Sequence, residues 1–499
     1  MNDMIAKGVA PLLSPLLAAL LLTACATPDF VQPYVATPAA FREAQAPAAP
    51  VDGVDGARWK AAQPAEAQPR GEWWLAFNDP ALTALVNEAS ANNANLAVAA
   101  SRVKQARAIA GIAEADRVPQ VGVGIGAQRA QLAPLESNLP QGVTPQPHTS
   151  YSARLSASYE VDLFGRVAAG VSAARGDAAS SEANFRSVLL ALQADVAQTY
   201  FRLRALDAEL DTVARTVQLR EESVGVTQRR FDAGDIGEFD LSRARSELST
   251  ARAEAIGLQR QRATAEHALA VLLGKPAADH VAGRSPLLDA TPMPLVPAGL
   301  PSSLLERRPD IVAAQRAMEA ANARIGVARG AMFPALTISA DGGGVGGAFS
   351  DVFRWSSRSW LLGALASMPI IDGGRNRNNV LRSEAALEES VGTYRQNVLV
   401  AFAEVEDNLA GLRILAGQSA EIDAAVVSAR RAADLAQKLY DAGRSGYLEL
   451  LDAQRNLANV ERTAVQLRGD RALTTVALIR ALGGGWDSTK PVAESVAQR

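Results

Sequence analysis

The chain has 499 residues, a formal net charge of −3 at pH 7, three histidines and one cysteine. A protein that binds nucleic acid needs a basic face, and this nearly neutral chain has no block of like charges, so its composition argues against that partner. His148, His267 and His280 are far apart in sequence, and no metal-ligand cluster or nucleophile motif lies in its required context. The composition therefore argues against an enzyme.

The N-terminus predicts export and a lipid anchor, with residues 1–24 as a signal peptide. Lys7 is followed by an apolar stretch, residues 9–22, that two prolines interrupt, so it is too short and too broken to span a membrane. It ends in Leu22-Thr23-Ala24-Cys25, which resembles the lipobox of bacterial lipoproteins, where the cysteine is acylated. Cys25 is therefore the predicted lipidation site, and we expect no cofactor other than this covalent lipid. The alternative is a chance apolar run before an incidental thiol.

Residues 25–75 predict a lipid-anchored, extended N-terminal strap, because most of them are rich in alanine, proline and glutamine without periodicity. Asp79-Pro80 is typical of a helix start, and a helical pattern runs from there to Asp116.

Four segments predict β-strands. The clearest is 152–161, where apolar and polar residues alternate as they do in a strand between lipid and water. A shorter alternation covers 121–125, and a third strand begins near Leu336. We expect Gly342-Gly343-Gly344-Val345-Gly346 to form a loop at a strand tip, since no helix opens after it. The fourth strand, about 359–370, alternates poorly, and the sequence gives no reason for this.

Two distant stretches of the chain are nearly the same. The stretch from Arg230 to Gly274 recurs from Leu439 to Gly483, with one constant offset of 209 residues (440 − 231) between matched positions. Each copy contains a helical pattern of roughly 60 residues, about 90 Å long, then a glycine-containing turn and a return helix. Apolar steps of three and four in these helices predict coiled-coil packing. A constant offset indicates two tandem structural repeats.

The predicted domains follow from this duplication. The first repeat covers 76–286, a proline-rich linker covers 287–302, the second repeat covers 303–486, and 487–499 form a polar tail. Four strands cannot close a barrel, and an open sheet edge cannot face lipid, so several copies of the chain must share one barrel. Three copies give 12 strands and four give 16, and both remain open at this point. The fold class is a mixed α+β membrane protein with a long antiparallel coiled-coil tunnel.

The motifs together resemble the TolC-like outer membrane efflux proteins, specifically the lipoprotein branch represented by OprM and the NodT-type factors. The resemblance covers nearly all of the chain from Cys25 to Trp486. The motifs that carry it are the lipobox, Trp73-Trp74 with Asp79-Pro80, Asp162-Leu163-Phe164-Gly165-Arg166, Glu306-Arg307-Arg308-Pro309-Asp310-Ile311, Asp372-Gly373-Gly374-Arg375, and Tyr440-Asp441-Ala442-Gly443 with Leu450-Leu451-Asp452-Ala453-Gln454.

The resemblance implies a homotrimer whose 12-stranded barrel, four strands per chain, continues into a periplasmic helical tunnel that closes at its tip. It implies three further partners: a periplasmic membrane-fusion adaptor, an inner-membrane transporter of the resistance-nodulation-division (RND) class, and outer membrane lipid. The implied function is the exit duct of a tripartite drug-efflux system in the outer membrane. The alternative within this class is the exit duct of a type I protein-secretion system, and outside it a structural coiled-coil lipoprotein.

The functional residues implied by the resemblance lie at the two interhelical turns. Glu449 and Asp452 are three apart on one helix face and are expected to form the acidic ring of the periplasmic gate; the alternative is an ordinary solvated face. Asp240 is the expected gate latch, with Tyr440 as its partner, which Arg444 or Arg243 could replace or supplement. The turn residues expected to contact the adaptor are Ala233, Gly234, Asp235, Ala442, Gly443 and Arg444.

Overall fold

The computed structural model describes residues 27–38, 40–43, 72–133, 145–288, 291, 293, 294, 296 and 304–484. The predicted signal peptide, the lipidation site Cys25, most of the strap and linker, and the tail lie outside the described residues. The helices are α1 (Pro80–Asn92), α2 (Ala94–Ala115), α3 (Arg166–Asp232), α4 (Glu238–Leu272), α5 (Leu304–Arg307), α6 (Pro309–Gly330), α7 (Arg375–Asp441) and α8 (Tyr447–Ala481). The strands are β1 (Gln120–Ala130), β2 (His148–Val161), β3 (Ala335–Gly346) and β4 (Arg358–Ser367).

The long helices keep the offset found in the sequence. Helices α3 and α7 have 67 residues each, and α4 and α8 have 35 each. Both ends of each pair are separated by 209 residues (375 − 166, 441 − 232, 447 − 238 and 481 − 272). None of the described helices has a segment that is both long and apolar enough to cross a membrane.

Two predicted helices are each broken in two. The first breaks at Asn93, whose side-chain oxygen accepts from the Leu96 N–H at 3.0 Å and thereby caps α2. The Asn93 amide also donates to the Leu272 carbonyl at 2.9 Å, which ties the break to the end of α4. The second breaks at Arg308, since Pro309 cannot continue a helix but suits the first position of α6.

The four described strands form one antiparallel sheet in the order β1-β2-β3-β4, so β1 and β4 are its edges. Residues directly opposite each other point to the same face of a sheet. One face, called here the apolar face, carries in successive strands Val121, Val123 and Ile125; Ala153, Leu155 and Ala157; Ile338 and Ala340; and Trp360 and Leu362. The opposite, polar face is dominated by glycine, serine and threonine, with Arg154 and Asp341.

The register explains why the fourth strand alternates poorly. Leu361 lies opposite Asp341, and Leu365 lies opposite Thr337, so both leucines are on the polar face. Their neighbours Trp360 and Leu362 are on the apolar face, which leaves a run of three apolar residues. β4 is thus the strand that presents large apolar groups on both faces of the sheet.

The glycine run predicted as a loop is part of β3, and that prediction was wrong. A Cβ atom on Gly343 would lie 2.8 Å from the Cα atom of Arg154 in β2, and one on Gly346 would lie 2.7 Å from the Cβ atom of Asp351. A short 3-10 helix, Phe349–Phe353, folds back over the end of β3. The glycines are needed for this close backbone approach rather than for a turn.

The described chain divides into two compact units, each built from separate parts of the sequence. One is drawn from Met1–Tyr34, Arg102–Ser181 and Ala313–Tyr394 and contains the sheet. The other is drawn from Val35–Ser101, Glu182–Val312 and Arg395–Arg499 and contains the aromatic core around Trp73, Trp74, Phe77 and Phe201.

Two motifs of the sequence act as polar clamps. Asp79 caps α1 and also accepts from the Tyr200 hydroxyl at 2.8 Å and from Arg204 at 2.9 Å. Burial and the bond to Asp79 raise the pKa of Tyr200 to about 12. Arg308 is largely buried, donates to Asp310 at 2.6 Å, and donates to the Ala481 carbonyl at 3.2 Å.

The helices that follow the sheet begin at capping aspartates. Asp162 accepts from the Val167 and Ala168 N–H groups at the start of α3. Asp372 accepts from the Gly374 and Asn376 N–H groups at the start of α7, and these backbone bonds hold the pKa of Asp372 below its usual range. The two aspartate motifs are therefore strand-to-helix junctions.

The described start of the strap lies along α6 and α7. The Pro28 carbonyl accepts from Asn322 at 2.7 Å, and Gln32 donates to the Tyr394 hydroxyl at 3.1 Å. A Cβ atom on Gly326 would come within 3.0 Å of the Thr27 side chain. Gly326 therefore leaves the space in which Thr27 sits, two residues after the predicted lipidation site.

We expect Gly326→Ala to displace the strap, because its Cβ atom would clash with the stiff, branched Thr27 side chain. Gly392→Ala is the matched control: Gly392 is also inside a helix, but nothing lies within 4 Å of its Cβ position. Alanine there should stabilise the helix by up to about 1 kcal/mol. Hydrogen–deuterium exchange over residues 28–32 should increase in the first variant only. Equal protection in both variants would contradict the close packing at Gly326.

Candidate functional site at the interhelical turns

The two turns between the long helices have the same backbone geometry. Gly234 and Gly443 adopt left-handed φ values of 77° and 70°. In the first turn the Asp235 N–H donates to the Arg230 carbonyl at 2.9 Å, and in the second the Arg444 N–H donates to the Leu439 carbonyl at 2.8 Å. These bonds make a Schellman motif, which satisfies the last carbonyls of α3 and α7.

The second glycine of each turn has a different role. Gly237 and Gly446 cap α4 and α8 with φ values of −81° and −76°, which any residue can adopt. The Gly446 N–H donates to Oε2 of Glu449 at 2.6 Å. The Glu449 carboxylate thus satisfies the start of its own helix.

An apolar cluster lies just behind the turns and joins the two hairpins. Ala244 of α4 packs with Tyr447 and Leu451 of α8, and Val224 and Tyr440 pack against them. The Tyr440 and Tyr447 ring centroids are 6.1 Å apart. The hairpin of one repeat is therefore packed directly on the hairpin of the other.

Tyr440 bonds to Arg230 within the chain, rather than to Asp240 as the sequence led us to expect. Arg230 donates to the Tyr440 hydroxyl at 2.9 Å, and its guanidinium carbon lies 5.4 Å from the ring centroid. Asp240 is partly buried, one turn ahead of Ala244, and its side chain has no hydrogen bond or ion pair with another described residue. Arg230 matches Leu439 at the 209-residue offset, so the duplication gave no sign of this bond.

Other links between the hairpins were also missed by the sequence analysis. The Tyr447 and Ser223 hydroxyls are 3.0 Å apart, and Arg455 of α8 donates to Glu247 of α4 at 2.9 Å. Arg220 donates to the neutral amide oxygen of Gln454 at 2.8 Å. Burial lowers the pKa of the Arg220 guanidinium. These polar contacts join the two hairpins in addition to the apolar cluster. Their partners are far apart in the sequence, so only the tertiary structure identifies the pairs.

The predicted acidic pair is accessible. Glu449 and Asp452 are both exposed on α8. The Asp452 carboxylate has no side-chain partner among the described residues, whereas Glu449 is bound to the Gly446 N–H. At the 209-residue offset Asp452 matches Arg243 and Glu449 matches Asp240, so only the second hairpin carries an acid at both of these positions.

The turn residues expected to contact an adaptor, 233–235 and 442–444, are all exposed. Asp235 and Arg444 occupy equivalent positions, so the two turns carry opposite charges at the same position of the turn. Phe239 and Leu448, also equivalent, are 73% and 55% exposed although both are apolar. The turns therefore offer a mixed apolar and charged surface.

Comparison with known proteins identifies the family. The family "Outer membrane efflux protein" matches residues 85–275 and again residues 300–484. The chain belongs to this family. It is an outer membrane transport protein, which confirms the expectations about family, compartment and the absence of enzymatic activity.

Three relatives illustrate the similarity. This efflux protein is 34% identical to the solvent efflux pump outer membrane protein SrpC of Pseudomonas putida, over 95% of this chain and 98% of the relative. The solved outer-membrane channel OprN superimposes with a TM-score of 0.81 at 28% identity, covering 93% of this chain and 99% of that one. The open state of the MtrE outer membrane channel of Neisseria gonorrhoeae gives a TM-score of 0.75 at 26% identity, covering 92% and 98%.

The two glycines of the second turn should differ in their tolerance of a side chain. We expect Gly443→Ala to destabilise the turn by about 1–2 kcal/mol, because a left-handed backbone is strained for an L-residue. Gly446→Ser should be neutral or stabilising, because serine is a favoured helix cap and its Cβ atom would meet nothing closer than 3.5 Å. Limited proteolysis at 442–446 measures this, and cleavage that rises equally in both variants would contradict the turn geometry.

Proposed function

We propose that this efflux protein is the outer membrane exit duct of a tripartite pump that moves drugs or other small molecules out of the cell. The observation that carries this proposal is one chain with both a sheet whose exposed apolar face suits lipid and two long helical hairpins that end in exposed turns. The name of SrpC, an outer membrane component of a solvent efflux pump, supports the same role. The duct itself conducts passively, and an inner-membrane transporter supplies the energy.

The duct would be a homotrimer with a 12-stranded barrel. The outer edges of β1 and β4 have no partner among the described residues, and lipid cannot satisfy their backbone groups, so each edge would pair with another copy. The side chains at these edges are complementary. β1 carries Gly122, Gly124 and Gly126 on its polar face, and β4 carries Leu361 and Leu365 on the same face. Large groups beside a row of glycines are what pairing of β4 with a neighbour's β1 requires.

The exposed turns would dock onto a periplasmic membrane-fusion adaptor, which connects the duct to a transporter of the RND class. Residues 233–235 and 442–444 present opposite charges and lie beside the apolar Phe239 and Leu448. Helical hairpins that carry apolar and charged groups together are suited to pack against other helices. The duct would be held in the membrane by its barrel and by a lipid on Cys25, after removal of residues 1–24.

The remaining domain boundaries also form part of the proposal. Residues 25–75 would be the strap, 76–286 and 303–486 the two repeats with the 287–302 linker between them, and 487–499 the tail. The exit duct of a type I protein-secretion system is not favoured by a particular feature of the structure. The relative SrpC, by contrast, belongs to an efflux pump.

The gate would open by an iris-like movement of the second hairpin away from the first. The Arg230–Tyr440 bond and the apolar cluster behind the turns hold the two hairpins of one chain together. Asp240 and Arg444, which have no side-chain partner within the described chain, would complete the latch by bonding across to neighbouring copies. The solved open state of MtrE supports a duct that has more than one state.

Breaking the latch should increase conductance. We expect Arg230→Met, Tyr440→Phe and Asp240→Ala each to raise the open-state population roughly fivefold to tenfold, since one hydrogen bond contributes about 1–1.5 kcal/mol. Single-channel recording of the purified protein in planar bilayers measures this. The matched control is Arg229→Met, because Arg229 precedes Arg230 in α3 but is exposed and has no ion pair among the described residues. A conductance that stays at the wild-type level in all three latch variants would contradict the proposed gate.

The acidic ring should make the gate cation-selective. Three copies of Asp452 around the axis would attract cations, so Asp452→Asn should shift the reversal potential in a KCl gradient towards zero. Glu449→Gln should shift it less, because the Glu449 carboxylate is bound to its own helix start. Asp470→Asn is the control, since Asp470 is exposed on the same face of α8, 18 residues or five turns farther on. An unchanged potential for Asp452→Asn would remove this residue from the pore.

A further inference from the structure

The sheet has two chemically different ends. At one end every strand connects to a helix: α2 enters β1, β2 continues to α3, α6 enters β3 and β4 continues to α7. At the other end, called here the distal end, β1 ends at Ala130 and β2 begins at His148, while β3 ends at Gly346 and β4 begins at Arg358. If the helices project into the periplasm, as the proposed function requires, the distal end reaches the outer leaflet of the outer membrane.

Two arginines lie on the apolar face at this distal end. Arg129 is separated by even steps from Val121, Val123 and Ile125 and lies opposite Thr149, so it shares their face. Arg358 lies opposite Gly344 and two residues from Trp360, on the same face of β4. Both arginines are exposed, and neither has a carboxylate partner among the described residues. An arginine on the lipid-facing side of a barrel is strongly destabilising at the midplane but costs almost nothing at the interface.

Aromatic side chains surround Arg358 in the way expected at a membrane interface. Trp355 and Trp360 are each 79% exposed, and Phe353 is 66% exposed. The Arg358 guanidinium carbon lies 4.2 Å from the Trp355 ring centroid. This cation–π contact stabilises the guanidinium but leaves its positive charge in place. Strand β4 has ten residues, from Arg358 to Ser367 at the helical end, and spans about 30 Å. This length places Arg358 at the boundary of an apolar band.

We propose that the distal end of the apolar face binds a phosphorylated lipid of the outer leaflet, with lipid phosphate on Arg129 and Arg358 and acyl chains on Trp360 and Leu362. Guanidinium groups bind phosphate well through paired, charge-assisted hydrogen bonds, and the neighbouring apolar side chains suit acyl chains. The inference rests on the proposed function, because that function sets the orientation of the sheet. Since β1 and β4 are opposite edges of the sheet, pairing of β4 with a neighbouring copy's β1 would bring Arg358 next to the strand that carries Arg129.

Other charged groups of this region are outside the proposed site. Arg354 already bonds to Asp351 at 3.2 Å, so its charge is partly neutralised within the connection. Arg154 is on the polar face, directly opposite Gly124 of β1 and Gly343 of β3. Its height in the sheet is close to that of Arg358, but it points away from lipid. Arg154 is therefore a matched control for charge and depth.

The test uses the purified, full-length trimer and two probes, bisphosphorylated lipid A and the same lipid A without its phosphates, titrated in mixed micelles. Bound lipid is counted by native mass spectrometry. We expect the wild type to prefer the phosphorylated probe. Arg129→Gln and Arg358→Gln should each weaken its binding about fivefold, and the double variant more. Arg154→Gln should bind like the wild type.

Equal binding of the two probes by the wild type would overturn the proposal, as would an equal loss in the Arg154→Gln control. The same preparations are assayed for trimer formation and for single-channel conductance. A conducting trimer without a phosphate preference removes the lipid site and leaves the exit duct intact. A wild type that neither trimerises nor conducts removes the exit duct instead.

Discussion

Backbone hydrogen bonding at the sheet edges is the constraint on which the rest of this architecture depends. The four strands pair with one another in the order β1-β2-β3-β4, and the outer sides of β1 and β4 have no strand partner among the described residues. In water such edges are a risk of aggregation, and in lipid they are too costly to exist. In the duct proposed above the apolar face lies in lipid, so the folded form would be complete only with other copies. The row of glycines on β1 and the two leucines on the polar face of β4 are consistent with that requirement.

A few polar groups fix the junctions of the chain, in addition to the buried apolar core. Asp162 and Asp372 cap the long helices where they leave the strands. Asp79 and Arg308 each tie several elements together through short, largely buried bonds. Close packing without polar groups also contributes, as in the contact of Gly326 with Thr27.

The two long helical hairpins have the same backbone geometry but different side chains where they meet. The turns have matching Schellman motifs, and α3 and α7 have the same length. The side chains differ where the hairpins meet: Arg230 corresponds to Leu439, Arg243 to Asp452, and Asp235 to Arg444. A duplicated scaffold therefore carries an asymmetric contact, in which Arg230 of the first hairpin meets the Tyr440 phenol of the second. Such asymmetry suits the proposed gate, in which one hairpin would move while the other stays fixed.

The sequence by itself determined the elements whose signal is local. The 209-residue offset, the alternation in 152–161, the Asp79-Pro80 cap and the turn glycines predicted long helix pairs, a strand between lipid and water and the places of chain reversal. Only the tertiary structure assigned Gly342 to Gly346 to a strand, because the β2 residues with which they pair, Tyr151 to Leu155, are far away in the sequence. It also placed Arg230, not Asp240, beside Tyr440, and it put Leu361 on the polar face. The physical reason is that periodicity in the sequence shows which residues share one face of a strand or helix. Strand register and helix packing decide which residues that face contacts.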